Sequence, residues 1–214
     1  MAVGGYTEFR LSAEFMIILG KTDHPQRAVI MLHGRGSSPE DIVGLVPHLE
    51  APDTLFIAPR ANNHTWYPQR FTRPLLENEP SLGSALETIS AYIATTNLSQ
   101  AQIVLLGFSQ GACLALEYAL RQGGRFGAVI AFSGGLIGSD SEIGQLGKPL
   151  LETPIFIGCD AQDFHIELAR VERSAVIFSS LGAKVNKRIY SGLGHSINQD
   201  ELKAARDLIN QLTF

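Results

Sequence analysis

An α/β architecture, with a mostly parallel sheet covered by helices on both faces, is what this 214-residue sequence predicts. Three observations carry that reading. Short runs rich in Val, Ile and Phe alternate along the chain with stretches of helical spacing, the β-α-β-α order of a layered α/β protein. Most of the runs are apolar along their length, as strands buried beneath helices on both sides are. Hydrophobic residues make up 45% and charged residues 18%, an ordinary globular composition that excludes disordered, collagen-like and coiled-coil fibrous chains. No repeat, low-complexity segment or long Pro/Gly/Ser linker divides the chain, so one domain over residues 1–214 is expected.

The elements follow in order. Buried strands are predicted at Phe15–Leu19, Ala28–Leu32, Thr54–Ala58, Gln102–Leu106, Phe126–Phe132, Pro154–Gly158 and Lys184–Tyr190. Between them, Pro39–Leu49 reads as a helix capped by Ser38, whose hydroxyl can satisfy a free amide of the first turn. Ser81–Thr96 carries Leu82, Leu86, Ile89 and Ile93 on one face. Gln110–Arg121 is apolar nearly all round and reads as a buried helix. Glu167–Leu181 and Gln199–Leu212 are amphipathic.

Charge and targeting signals narrow the functional classes. Seventeen Lys and Arg against twenty-one Asp and Glu leave a formal charge of −4, which argues against nucleic acid as a partner. The nearest approach to a basic cluster, Lys184, Lys187 and Arg188, reads as a solvated strand edge. The longest apolar runs are far too short for a bilayer span, and Met1–Arg10 lacks the basic and apolar regions of a secretory signal. Cys113 and Cys159 form no metal-ligand spacing. A cytoplasmic protein without metal or other cofactor is expected.

Gly107-Phe108-Ser109-Gln110-Gly111 is the strongest chemical signal. It leaves a predicted strand and opens a predicted helix, the context in which G-x-S-x-G forms a sharp turn that exposes the serine. The flanking glycines let strand and helix approach, and the helix N-terminus favours developing negative charge. A serine hydroxyl needs a base to take its proton and a carboxylate to orient that base. His195 stands in Gly192-Leu193-Gly194-His195-Ser196, a Gly-rich loop between the last strand and the last helix, at the sheet edge where ligands bind. The carboxylate should lie between serine and histidine in the chain. Asp160 and Asp163 both follow the sixth strand, and Asp163 is favoured because its loop can fold back toward His195. An oxyanion needs two N–H donors, expected from the backbone amides of Gln110 and of Arg35, the latter in Leu32-His33-Gly34-Arg35-Gly36. That Gly-rich turn is not a nucleotide fingerprint, because Pro39 stands where the third glycine belongs.

Taken together, these residues resemble the α/β-hydrolase superfamily, and within it the phospholipase/carboxylesterase family that includes the acyl-protein thioesterases. The matching pieces are Leu32-His33-Gly34-Arg35-Gly36, Trp66-Tyr67-Pro68, Gly107-Phe108-Ser109-Gln110-Gly111, Asp163-Phe164-His165-Ile166 and Tyr190-Ser191-Gly192-Leu193-Gly194-His195-Ser196. The acid segment looks like the D-P-H-I-P of bacterial relatives, with Phe164 and Glu167 replacing the prolines. The resemblance implies Ser109 as nucleophile, Asp163 as acid, His195 as base, and Arg35 and Gln110 as oxyanion donors. It implies a carboxylesterase acting on small soluble esters through an acyl-enzyme, with acyl-thioesterase or lysophospholipase activity on the same triad as the alternative.

About twenty residues separate the fifth and sixth strands, too few for a lid domain. An open site is therefore expected, and short acyl chains are expected to outpace long ones. Trp66, Tyr67, Arg70 and Phe71, in the loop Arg60–Pro80, are the candidate substrate-binding residues, an aromatic wall with Arg70 and Arg73 available to an anionic tail. The expected partner is a small-molecule ester, with room for a homodimer. Three rivals are disfavoured. A hydrolase-fold binding protein without turnover would tend to lack a triad member, a dienelactone-type hydrolase would carry Cys at position 109, and a metal-dependent hydrolase would show ligand clustering.

Overall fold

The computed structural model describes residues 16–212. The expected strand residue Phe15 and the N-terminal segment Met1–Arg10 lie outside the described residues. Seven strands among those described form one sheet: β1 (Met16–Gly20), β2 (Arg27–Leu32), β3 (Thr54–Pro59), β4 (Ile103–Phe108), β5 (Ala128–Phe132), β6 (Pro154–Asp160) and β7 (Lys184–Tyr190). Their order is β1-β3-β2-β4-β5-β6-β7. Only β1 runs antiparallel to its neighbour, with Met16 opposite Pro59, and the remaining pairs are parallel. The α/β class and both-face layering therefore stand as read from the sequence.

Alternation along the strands sends side chains into two cores. Ala28, Ile30 and Leu32 of β2 join Leu105 and Ile157 on one face, where α4 (Ser81–Thr95), α5 (Gln110–Gln122) and α6 (Leu168–Ser180) pack. Val29 and Met31 join Phe132 and Phe156 on the other, beneath α1 (Pro39–Val43), α2 (Val46–Leu49) and α7 (Gln199–Asn210). Residues Gln110 to Leu120 of α5 are all buried, which explains a helix without a polar face.

One expected helix is divided. Pro39–Leu49 breaks at Gly44 and Leu45 into α1 and α2. Pro47 lacks an N–H, and its ring would strike the carbonyl of Val43 in a continuous helix. A short helix, α3 (Leu75–Asn78), was not expected at all. Lys184–Tyr190, expected among the buried strands, is instead the edge strand β7 with no buried residue. It pairs its cations outward, Lys184 with Glu152, Lys187 with Glu172 and Arg188 with Asp200, the solvated edge expected of that cluster. Residues 133–153 hold no helical insertion. They lie against α5 and α6, where Gly135 N–H reaches Cys113 Sγ and Leu136 N–H donates to Ser174 Oγ.

Candidate active site

The strand β4 ends one residue before Ser109, and α5 begins one residue after it. That reversal places Ser109 at φ 54° and ψ −117°, a conformation that costs a non-glycine residue steric strain and raises its side chain clear of the turn. The turn is tight enough to dictate its neighbours. A Cβ on Gly107 would overlap the backbone of Gly111, and one on Gly111 would overlap the carbonyl of Leu32. Only glycine lets α5 lie this close to β4 and β2.

Two further loops at the same sheet edge meet Ser109. The loop after β7 carries His195, whose Nε2 accepts from Ser109 Oγ at 2.8 Å. The loop after β6 carries Asp163, whose Oδ2 receives His195 Nδ1–H at 2.7 Å. That pairing places the neutral imidazole's proton on Nδ1 and leaves Nε2 free to accept. Burial alone would raise the Asp163 carboxyl, but the hydrogen bonds from His195 and from the amides of His165 and Ile166 outweigh it and hold the pKa below the ordinary value. Asp163 is thus ionised beside the imidazole, and its side chain is fully buried. Phe108 and His165 flank the His195 ring, with centroids 4.9 and 4.6 Å away.

Asp160 takes a different position. Its Oδ1 accepts from Gln162 N–H at 2.7 Å, and its Oδ2 accepts from Leu193 and Gly194 N–H at 2.5 and 3.2 Å. Those bonds hold its carboxyl below the usual range. The side chain therefore anchors the loop that carries His195, a role the spacing of acids alone did not reveal. Glu201 also went unread. It lies in the first turn of α7, where Oε2 accepts from Asn198 N–H at 2.9 Å while Oε1 is buried without a partner among the described residues. Burial, with the nearby charge of Asp200, pushes its pKa up to about 7. Both thiols are pushed up by burial as well, Cys113 to about 11 and Cys159 to about 12. Neither is a nucleophile near neutral pH.

Around Ser109 opens a cavity of about 610 Å³. Arg35 and Gln110 both line it, and among the described residues their backbone amides donate to no protein acceptor. Their side chains serve the wall. The Arg35 guanidinium donates to the carbonyls of Tyr67, Pro68 and Gln69 at 2.7 to 2.8 Å. Gln110 Nε2 donates to the Tyr67 carbonyl at 2.7 Å, and Oε1 accepts from Trp66 N–H at 3.1 Å. Tyr67, Arg70 and Phe71 line the cavity, but Trp66 does not. The expectation for Trp66 is corrected here: its ring is buried, stacks at 5.0 Å on His33 and donates from Nε1 to the His33 carbonyl. An indole N–H seeks a partner when buried, and the strand end at His33 supplies it. Arg73 is likewise removed from the wall's free cations by its paired contacts with Glu77, both 2.9 Å.

Among the described residues, no three His, Cys, Asp or Glu side chains cluster as metal ligands would. No described helix is long and apolar enough to cross a membrane.

Residues 13–213 match the phospholipase/carboxylesterase family. The fold superimposes on a phospholipase/carboxylesterase from Dyadobacter fermentans with a TM-score of 0.86 and 38% identity, covering 92% of this chain and 96% of that one. The probable carboxylesterase SOBER1-like of Arabidopsis thaliana is 26% identical over 203 residues, 86% of this chain and 78% of its own. Acyl-protein thioesterase 1 of Debaryomyces hansenii is 31% identical over 112 residues, 52% of this chain and only about half, 48%, of its own length.

Proposed function

We propose that this chain, which belongs to the phospholipase/carboxylesterase family, is a serine carboxylesterase that cleaves small carboxylic esters through an acyl-enzyme. The observation that carries the reading is the unbroken hydrogen-bonded line Ser109–His195–Asp163, at 2.8 and 2.7 Å, ending in an open cavity. Ser109 Oγ attacks the ester carbon as His195 Nε2 takes its proton, and Asp163 stabilises the imidazolium so formed. The amides of Arg35 and Gln110 receive the oxyanion, each such donor being worth about 10²–10³ in rate. His195 then returns the proton to the departing alkoxide, leaving an acyl-Ser109. Water, deprotonated by the same Nε2, releases the acid and restores the serine.

The absence of a helical insertion in residues 133–153 supports the preference for short soluble substrates. The thioesterase among the relatives keeps the thioester reading as the alternative, since the same steps cleave a C–S bond.

A fluorophosphonate probe tests the reading together with a p-nitrophenyl ester series and an acyl-thioester control. One label per chain is expected, lost in Ser109→Ala along with turnover by about 10⁶. Acetate to hexanoate esters should outpace palmitate, without a jump at the micelle threshold. Retained label in the alanine variant would refute the assignment, and faster thioester cleavage would move it to the alternative.

A further inference from the structure

We infer that Arg70 selects esters bearing a carboxylate, so that the substrate class is the half-esters of small dicarboxylic acids. The inference rests on the esterase reading and deepens it. Of the eleven arginines in the described residues, ten place their guanidinium on a carboxylate or carbonyl. Arg70 alone has no side-chain partner among the described residues, and it lines the cavity that holds Ser109.

The surroundings leave that charge uncompensated. The chain as a whole carries a net −4, yet among the described residues the cavity lining includes Arg35, Arg70, His165 and His195 and no Asp or Glu. Arg35 is committed to three carbonyls, and Arg73 to Glu77. Among the described residues, Arg70 therefore stands as the one arginine whose fork remains open to a ligand. One guanidinium matches one carboxylate in two parallel hydrogen bonds and balances its single charge.

The position is also held in place. Buried Asn78 accepts from Gln69 N–H through Oδ1 at 2.8 Å and donates from Nδ2 to the Arg70 carbonyl at 3.4 Å. Next to it the Phe71 ring is buried under the Arg170 guanidinium, 5.7 Å from its centroid. The backbone of Arg70 is thus fixed between an aromatic wall and a buried amide, and its side chain reaches from a rigid base. An ester lying along Tyr67 and Phe71 would meet the cation at its far end.

The test compares monomethyl glutarate with methyl valerate, which differ by a carboxylate in place of a methyl group. Ester cleavage is followed by NMR for the wild type, Arg70→Gln and Arg70→Lys. The wild type should favour the half-ester in kcat/KM. Arg70→Gln should lower that preference about ten- to a hundredfold, chiefly through KM, and Arg70→Lys should retain part of it. The wild-type preference should also shrink as salt screens the exposed pair. An unchanged ratio in Arg70→Gln overturns the inference. Calorimetric binding of glutarate separates it from the esterase reading. If neither ester is cleaved, the esterase reading falls, while glutarate binding at least about tenfold weaker in Arg70→Gln still upholds Arg70. Equal glutarate affinity in the two proteins sinks the inference whatever the turnover.

Discussion

Replacing Glu201 by Gln should flatten the pH dependence of stability in a defined window. Glu201 is wholly buried, and its pKa rises from an ordinary 4.5 to about 7 because burial penalises the charged form. In the unfolded chain the carboxyl loses its proton near 4.5, whereas the folded protein keeps it to about 7. Between those values the native state binds the extra proton, so stability falls as pH rises. At about 1.4 kcal/mol per pH unit, the cost across the window reaches roughly 3 kcal/mol, complete above pH 7 and absent below 4.5. Glutamine has the shape of the protonated acid and can still accept from Asn198 N–H. Carboxylates with lowered pKa values, such as Glu40 at about 2, tilt both proteins alike and cancel in the difference. Urea unfolding of both proteins, in half-unit steps from about pH 4.5 to about 8, measures it. The curves should converge at the acid end, with Gln gaining roughly 3 kcal/mol at the alkaline end. Parallel curves would refute the reasoning and mean that Glu201 ionises in the fold as it does in water.

Two further perturbations address the chemistry. Asp163→Asn should lower kcat by about 10³–10⁴ on a small ester, because the amide removes the charge that supports the imidazolium and can favour the wrong tautomer. Asp160→Asn should cost about tenfold, by setting an NH₂ against either Gln162 N–H or the Leu193 and Gly194 amides. A reversed ranking in kcat/KM would make Asp160 the functional acid. Ester hydrolysis should also survive exhaustive chelation. Loss with EDTA and recovery with zinc would replace the serine mechanism by a metal-activated water.

What the sequence made legible was chemistry carried by local backbone. Gly107 and Gly111 bracket Ser109 because the turn there leaves no room for a Cβ, so spelling and conformation coincide. Strand cores were legible because β2 to β6 are buried on both faces. The break at Gly44 was masked by apolar residues with helical spacing on either side, although Pro47 held the signal. Trp66 was misread because an aromatic residue near a site looks alike whether it faces the ligand or fills the core. Which it does depends on His33, 33 residues away. The partners of Asp160 and Glu201 were equally hidden, and Arg70 and Arg73 read alike until Glu77 was seen to hold Arg73, since an acid or a cation declares its partner only after the chain has folded.

The clasp of Arg35 and Gln110 on residues 65–69 divides the cavity wall into a frozen part and a variable part. Four consecutive positions, Trp66 to Gln69, are bound by their main chains to the two turns that carry the proposed oxyanion amides, and Thr65 joins them through its hydroxyl, so their side chains can change only without moving those main-chain groups. Beyond the last clasped carbonyl the main chain is held from elsewhere, the Arg70 carbonyl by Asn78 and the Phe71 carbonyl by Gly138 N–H, and the Arg70 side chain alone is exposed and unpaired among the described residues of this segment. An engineer seeking new selectivity has a natural handle there: Arg70 can be exchanged to recast what the cavity admits, while buried Phe71 and the turns that carry the proposed oxyanion amides stay in register.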